Sequence, residues 1–136
     1  VFRKEIGYGI YMPMIHLKQH LQCLHVCELG QSILLFLVVF LRRAIKSRIL
    51  DSDCQFVITA DEGTRGGKII PLKSSVDIAL AQCPNVKKCV VVKYTNGTVD
   101  WTDDRDIWYE DLVANQPTIC ECEPMDAEDP SFILYT

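Results

Sequence analysis

Short apolar runs alternate with amphipathic and polar segments along the 136 residues of the chain. Residues 16–29 and the stretch that begins at Pro71 place apolar side chains at helical spacing, the second through Leu72, Val76, Ala79 and Leu80, which predicts helices. A short basic helix is predicted over 42–50, and a short helix carrying Ile107, Trp108, Leu112 and Val113 within an acidic loop. Runs rich in β-branched and aromatic residues predict buried strands at 10–15, 32–41, 54–60, 86–94 and 132–135. This alternation predicts an α/β fold with a mostly parallel sheet and covering helices.

The run at 32–41, SILLFLVVFL, has two interpretations. It is a buried parallel strand, or it is the second half of a membrane helix from Leu21 to Leu41 that Arg42 and Arg43 close. As a helix the run alone is too short to cross a hydrocarbon layer of about 30 Å, and its upstream extension takes in charged and polar residues. We favour the buried strand and keep as the alternative a non-catalytic interaction or membrane-attached module that uses 21–41.

Turn signals mark the ends of several elements. Pro13 is expected to stop the first strand, and the polar stretch 117–130 is expected to be a connector. Asn96-Gly97 predicts a turn, after which Thr98 to Trp101 could pair back as a hairpin arm.

Residues 61–68 hold three glycines among charged side chains, between a predicted strand and a predicted helix. This composition predicts a loop that can adopt positive φ and bring backbone close to a ligand. The segment Arg65-Gly66-Gly67-Lys68 matches neither a dinucleotide fingerprint nor a Walker A loop. Two interpretations remain open from the residues alone, a solvated basic loop and a phosphate-binding loop that uses two cations and open N–H groups.

Charge and cysteine content narrow the class of protein. The net charge of −4 argues against a general nucleic-acid-binding surface. The seven cysteines are an odd number without a regular framework, which favours reduced thiols in an intracellular protein.

Other candidate sites favour structural interpretations. Four metal-ligand side chains of one predicted helix span about 16 Å of its axis, too far to share one ion; they are His16, His20, Cys23 and Cys27. Cys120-Glu121-Cys122 is interpreted as a loop with incidental thiols, and the acidic stretch 103–106 as a solvated loop. We therefore predict no catalytic residue and no metal site in this chain.

Several longer strings resemble one known family. SRILDSDCQFVITADEGTRGGKIIPLKSSVDIALAQCPNVKKCVVVK, at 47–93, resembles acetyl-coenzyme A synthetase, the AMP-forming acetate–CoA ligase of the adenylate-forming superfamily. WTDDRDIWYEDLV at 101–113 and MDAEDPSFILYT at 125–136 are also similar, the latter to the run that leads into the family's phosphate-binding loop. IYMPMI at 10–15 looks like an early family strand. The resemblance is good over 45–136, whereas 1–44 diverges from the family.

The resemblance implies an activity and a site. Members of the family convert acetate, ATP and CoA to acetyl-CoA, AMP and pyrophosphate, with Mg²⁺ accompanying ATP. Arg65, Gly66, Gly67 and Lys68 fall on the loop that binds CoA in the family, so they are the predicted CoA-binding residues. The implied partners are the small molecules acetate, ATP and CoA, in a cytoplasmic or mitochondrial enzyme, with neither nucleic acid nor membrane.

Both ends of the chain look cut, because it does not begin with methionine and stops within an apolar run. We therefore expect a partial N-terminal domain of an adenylate-forming enzyme. The family's phosphate-binding loop and its C-terminal domain are expected to lie outside these residues. The chain by itself is accordingly predicted to be inactive as a ligase.

Overall fold

The computed structural model describes residues 8–12, 33–37, 42–116, 119, 124, 126–128 and 132–134. The helices are α1 (Arg42–Asp51), α2 (Leu72–Leu80) and α3 (Tyr109–Val113). The strands are β1 (Tyr8–Met12), β2 (Ile33–Leu37), β3 (Phe56–Ala60), β4 (Gly63–Arg65), β5 (Lys68–Ile70), β6 (Lys88–Val92), β7 (Asp106–Trp108) and β8 (Phe132–Leu134).

Six of these strands form one parallel sheet in the order β7-β6-β3-β1-β2-β8. β1 lies inside the sheet, with Tyr8 opposite Ile33 of β2 on one side and Phe56 of β3 on the other. Parallel strands of this kind are buried on both faces in most folds, which explains why their sequences are nearly continuous apolar runs. The predicted α/β class with a mostly parallel sheet is confirmed.

The apolar run at 32–41 contributes strand β2, which pairs with β1 and β8. A continuous membrane helix from Leu21 to Leu41 is therefore wrong at residues 33–37, because their backbone groups belong to the sheet ladder. Within the described ranges, no helix is both long and apolar enough to cross a membrane.

Helices α1 and α2 pack on each other and on one face of the sheet. Val57 of β3 is paired with Cys89 of β6, and both side chains are fully buried on that face. The residues that the predicted stripe of α2 places inward are buried, and so is one that it did not include, Lys73. The buried apolar cluster comprises Ile45, Ile49, Cys54, Val57, Ala60, Leu72, Val76, Ala79, Leu80, Cys83, Cys89 and Val91.

Two predicted elements differ from the observed ones. Thr98 to Trp101 do not form a hairpin arm, because β6 is already paired on both sides, with β3 and with β7. Ile107 and Trp108 belong to strand β7 rather than to a helix, and only the following residues of α3 are helical. Their backbone is extended because it pairs with Val90 and Val91 of β6.

The predicted helix over 16–29, with its histidines and cysteines, lies outside the described residues. The same holds for Cys120-Glu121-Cys122. The interpretations given to these residues stay predictions.

Candidate functional site

The basic glycine segment forms the end of a β-hairpin. β4 and β5 are antiparallel, with Arg65 directly opposite Lys68, and Gly66 and Gly67 make the two-residue turn. Both glycines have positive φ, 56° and 75°, the geometry that two-residue hairpin turns require. The prediction of a loop over 61–68 is wrong at residues 63–65 and 68, which belong to strands, whereas the expected positive φ is confirmed at Gly66 and Gly67. We call residues 65–68 the hairpin tip.

The hairpin tip is open to solvent. All four of its residues are exposed, and no heavy atom of the described chain, apart from those of adjacent residues, lies within 4 Å of where a Cβ would stand on Gly66 or Gly67. Side chains directly opposite each other in an antiparallel pair have Cβ atoms about 5 Å apart, and like charges there repel. Neither cation of the tip forms an ion pair with another part of the described chain. An anion bound between Arg65 and Lys68 would relieve their repulsion.

The hairpin extends from the edge of the sheet at which the parallel strands end, which we call the carboxyl edge. β3 ends at Ala60, the hairpin follows at residues 63–70, and α2 begins at Leu72. Asp61, which sequence reasoning did not single out, is buried between β3 and the hairpin. The sequence feature that could have identified Asp61 is its position, because it is an acidic residue directly after a predicted buried strand.

A buried ion network lies beside the hairpin, at the start of α2. The Nζ atom of Lys73 is 2.7 Å from Oδ1 of Asp77 and 2.8 Å from Oδ2 of Asp106. Arg105 completes the network with ion pairs to both carboxylates. The side chains of Lys73 and Asp106 are fully buried, so the expectation of a solvated acidic loop at 103–106 is wrong at Asp106. The reason lies in the tertiary structure, because Asp106 forms an ion pair with Lys73 of α2, which is distant in the sequence.

The network keeps Asp106 ionised. Burial raises the pKa of the Asp106 carboxyl, but hydrogen bonds from Arg105, from Lys73 and from the Thr102 N–H outweigh burial and leave that pKa below its ordinary value. The network therefore joins the first turn of α2 to the start of β7.

Two tryptophans pack beside this network. The rings of Trp101 and Trp108 are stacked, with centroids 4.5 Å apart, and the Lys73 Nζ atom lies 6.0 Å from the centroid of Trp101. Both indoles also pack against the apolar core. Trp101 therefore lies within cation–π distance of the Lys73 ammonium.

The described cysteines do not supply a nucleophile. Cys54, Cys83 and Cys89 are free thiols and are buried. Burial raises the pKa of all three, that of Cys89 to about 12, so each thiol stays protonated near neutral pH. In the part of the chain that the structure describes, no group of three or more His, Cys, Asp or Glu side chains could hold a metal ion.

Comparison with known proteins places the chain beside one group of enzymes. It is 51% identical over 127 residues to an acetyl-coenzyme A synthetase of Gamma-proteobacterium EBAC31A08, and 50% identical over 134 residues to acetyl-coenzyme A synthetase 2 of Pseudomonas putida. These matches cover 93% and 98% of the chain but only 20% and 21% of the relatives. The chain thus spans about a fifth of the length of the curated relatives that it matches. No family model matches it.

The fold also has a solved counterpart. Acetoacetyl-CoA synthetase from Streptomyces lividans superposes with a TM-score of 0.84 over 98% of this chain and 20% of its own, at 17% sequence identity. At that identity the likeness concerns the fold. The predicted resemblance to acetyl-coenzyme A synthetases is confirmed by the sequence comparisons, and the predicted architecture by the structural one.

Proposed function

We propose that this chain is part of the N-terminal domain of an AMP-forming acetate–CoA ligase and that its hairpin tip binds CoA. The reaction converts acetate, ATP and CoA to acetyl-CoA, AMP and pyrophosphate. The proposal is supported by identity of about half over almost the whole chain to two acetyl-coenzyme A synthetases. The single observation that carries the assigned role is the geometry of the tip.

The tip matches the phosphates of CoA in charge and in donor geometry. The guanidinium of Arg65 can donate two parallel hydrogen bonds to one phosphate group, and the ammonium of Lys68 is a mobile point charge beside it. Gly66 and Gly67 leave the backbone between them uncovered, so a phosphate can approach their N–H groups. CoA offers a pyrophosphate and a 3′-phosphate, which are suitable anions for such a pair of cations.

The place of the hairpin in the fold supports the same role. Open α/β sheets bind their ligands outside the carboxyl ends of the strands, and the hairpin projects from that edge, directly after β3. Lys88 begins β6 and Lys87 directly precedes it, so both lie at the end of the sheet where the parallel strands begin. The two basic pairs are therefore separated by the length of the strands.

ATP, acetate and Mg²⁺ belong to the proposed reaction, but we assign no described residue to them. Asp61 and Asp106 are buried carboxylates that already accept hydrogen bonds from the protein. These two carboxylates are therefore already engaged by donors within the protein.

Calorimetric titration of the 136-residue chain with CoA tests this proposal. The Arg65→Ala/Lys68→Ala variant should bind CoA at least tenfold more weakly, because each hydrogen bond to a charged group contributes about 1.5–3 kcal/mol and 1.4 kcal/mol is a factor of ten. Lys87→Ala/Lys88→Ala is the matched control, because it removes the same charge from the other edge of the sheet and should leave CoA binding unchanged.

A ligand series separates recognition of phosphate from recognition of the rest of CoA. Pantetheine, which carries no phosphate, should show no difference between the wild type and the Arg65→Ala/Lys68→Ala variant. Equal affinities of these two proteins for CoA, or equal losses in the two double variants, would remove the role assigned to the tip.

A further inference from the structure

Asp61 lies where the two ends of the hairpin come together, between the end of β3 and the start of α2. Its N–H donates to the carbonyl oxygen of Val92 in β6, at 3.0 Å, and its carbonyl oxygen accepts from the N–H of Lys73 in α2, at 3.1 Å. Gly63 begins the hairpin just after Asp61, and Lys73 follows shortly after its last residue, Ile70. The backbone of Asp61 therefore closes the base of the hairpin.

The carboxylate of Asp61 binds a second segment, the one that follows β6. Its Oδ1 atom accepts hydrogen bonds from the N–H groups of Glu62 at 2.7 Å, Tyr94 at 3.0 Å and Thr95 at 3.2 Å. Oδ2 lies 3.2 Å from the same N–H of Thr95. Asp61 is only 1% exposed, so these bonds form away from water, where they are strong.

Glu62 and Thr95 form a second contact between the same two segments. The Thr95 hydroxyl lies 2.6 Å from Oε2 of Glu62 and accepts from the N–H of Gly97 at 3.3 Å. A Cβ on Gly97 would lie 2.3 Å from the Cδ atom of Glu62, so no side chain fits there unless the carboxylate moves. The start of the hairpin and residues 94–97 therefore fit closely together.

We propose that Asp61 is the positioning residue of the hairpin tip: it fixes the direction in which Arg65 and Lys68 project from the carboxyl edge. A carboxylate suits this role because every partner of its side chain is an N–H donor, whereas an asparagine would turn its own NH₂ toward one of them. Fixing the hairpin before a ligand arrives lowers the entropy cost of binding. The claim that Asp61 affects CoA binding rests on the proposed function. The mechanical part of the inference, that Asp61 orders the hairpin, does not.

Amide hydrogen exchange of the 136-residue chain tests the mechanical part. In Asp61→Asn, amides of residues 63–70 and 94–97 should exchange at least about tenfold faster, since a lost charge-assisted hydrogen bond corresponds to at least that factor. Amides of α1, at 42–51, should exchange at the wild-type rate. Asp103→Asn is the matched control, because Asp103 is exposed and the charge change is the same.

A second variant disturbs the contact between the start of the hairpin and residues 94–97 without changing the charge of the protein. Gly97→Ala should displace the Glu62 carboxylate from Thr95 and speed exchange in the hairpin several-fold, with an unchanged far-UV circular dichroism spectrum. It keeps the inference testable if Asp61→Asn does not fold. Unchanged hairpin exchange in the folded variants, or exchange raised equally in α1, would overturn the positioning role.

Titration with CoA then separates this inference from the proposed function. Asp61→Asn should bind CoA about tenfold more weakly, with Arg65 and Lys68 both present. Arg65→Ala/Lys68→Ala should bind CoA at least tenfold more weakly, while its hairpin amides exchange no faster than in the wild type, since loss of both charges removes their repulsion. If hairpin exchange responds to Asp61 but CoA binding responds to neither change, the positioning role stands and the assignment of CoA to the tip fails.

Discussion

The carboxylate of Asp106 is fully buried and forms ion pairs with two cations. Its two oxygens accept from Lys73 and Arg105, and Lys73 has no exposed surface of its own. Removal of one partner from a buried ion pair leaves an uncompensated charge, which costs more free energy than the pair contributes. The network is therefore sensitive to the loss of any one of its members.

Asp106→Asn tests this sensitivity and its pH dependence. The variant should lose about 3 kcal/mol of unfolding free energy at pH 7, because Lys73 and Arg105 lose the charge that they share. The folded pKa of Asp106 is lowered, so its contribution is present above the unfolded value of about 4 and is lost as pH falls through the folded value. The difference between variant and wild type should accordingly shrink below about pH 4.

Urea denaturation at pH 7 and at successively lower pH values measures both effects. Asp103→Asn, an exposed neighbour in the same acidic stretch, should change stability little at either pH. A loss for Asp106→Asn that stays constant down to pH 2 would contradict the assigned ionisation.

The hairpin is the element on which the proposed site is built, and its turn depends on two glycines. Positive φ at both central residues matches the right-handed twist of the flanking strands and sets Arg65 opposite Lys68. Any change in the turn geometry would alter the spacing of the two cations.

Gly67→Ala and Gly67→Asn test this dependence on backbone conformation. A left-handed conformation costs an ordinary residue about 1–2 kcal/mol, while asparagine adopts it more readily. Because the position is open, the larger asparagine should be tolerated better than alanine. Hairpin amide exchange should follow the order alanine, asparagine, glycine from fastest to slowest, and an order that follows side-chain size would contradict the conformational account.

Much of the fold follows from local patterns, whereas the partners of charged residues do not. β2, β3 and β6 were predictable because an unbroken apolar run has few alternatives to burial. β7 was missed because it carries no such run and is extended only through its pairing with β6.

The same distinction holds for the candidate site, whose turn was predictable from the sequence while the partners of its buried charges were not. The turn of the hairpin follows from Gly66-Gly67, and the two flanking cations follow from the sequence itself. Asp61 and Lys73 have charged side chains whose burial depends on donors and acceptors far along the chain, at Thr95 and Asp106. Composition and spacing carry no information on such pairings.

On the scale of the molecule, the described chain joins one parallel sheet, a layer formed by α1 and α2, and a projecting hairpin. It spans about a fifth of the length of its curated relatives. Transfer of phosphoryl and acyl groups depends on charges aimed at the reacting atoms. Among the described residues we assign only the hairpin tip to a ligand, and that proposed role concerns the phosphates of CoA rather than the reacting atoms.

A polypeptide of these 136 residues is therefore expected to release no pyrophosphate from ATP in response to acetate. A coupled pyrophosphate assay measures this, with full-length acetyl-coenzyme A synthetase 2 of Pseudomonas putida as the positive control. Acetate-dependent release that grows with the concentration of the 136-residue polypeptide would contradict the expectation.

The strand order has a consequence for how the sheet can be assembled. Every strand of the sheet after β1 pairs with one that precedes it in the sequence: β2 and β3 with β1, β6 with β3, β7 with β6, and β8 with β2. A chain that leaves the ribosome can add each new strand to an edge that already exists. The outer edge of β2 is paired latest relative to its own synthesis, since β2 ends at Leu37 and its outer partner β8 begins only at Phe132. During synthesis that apolar edge stays open to other nascent chains.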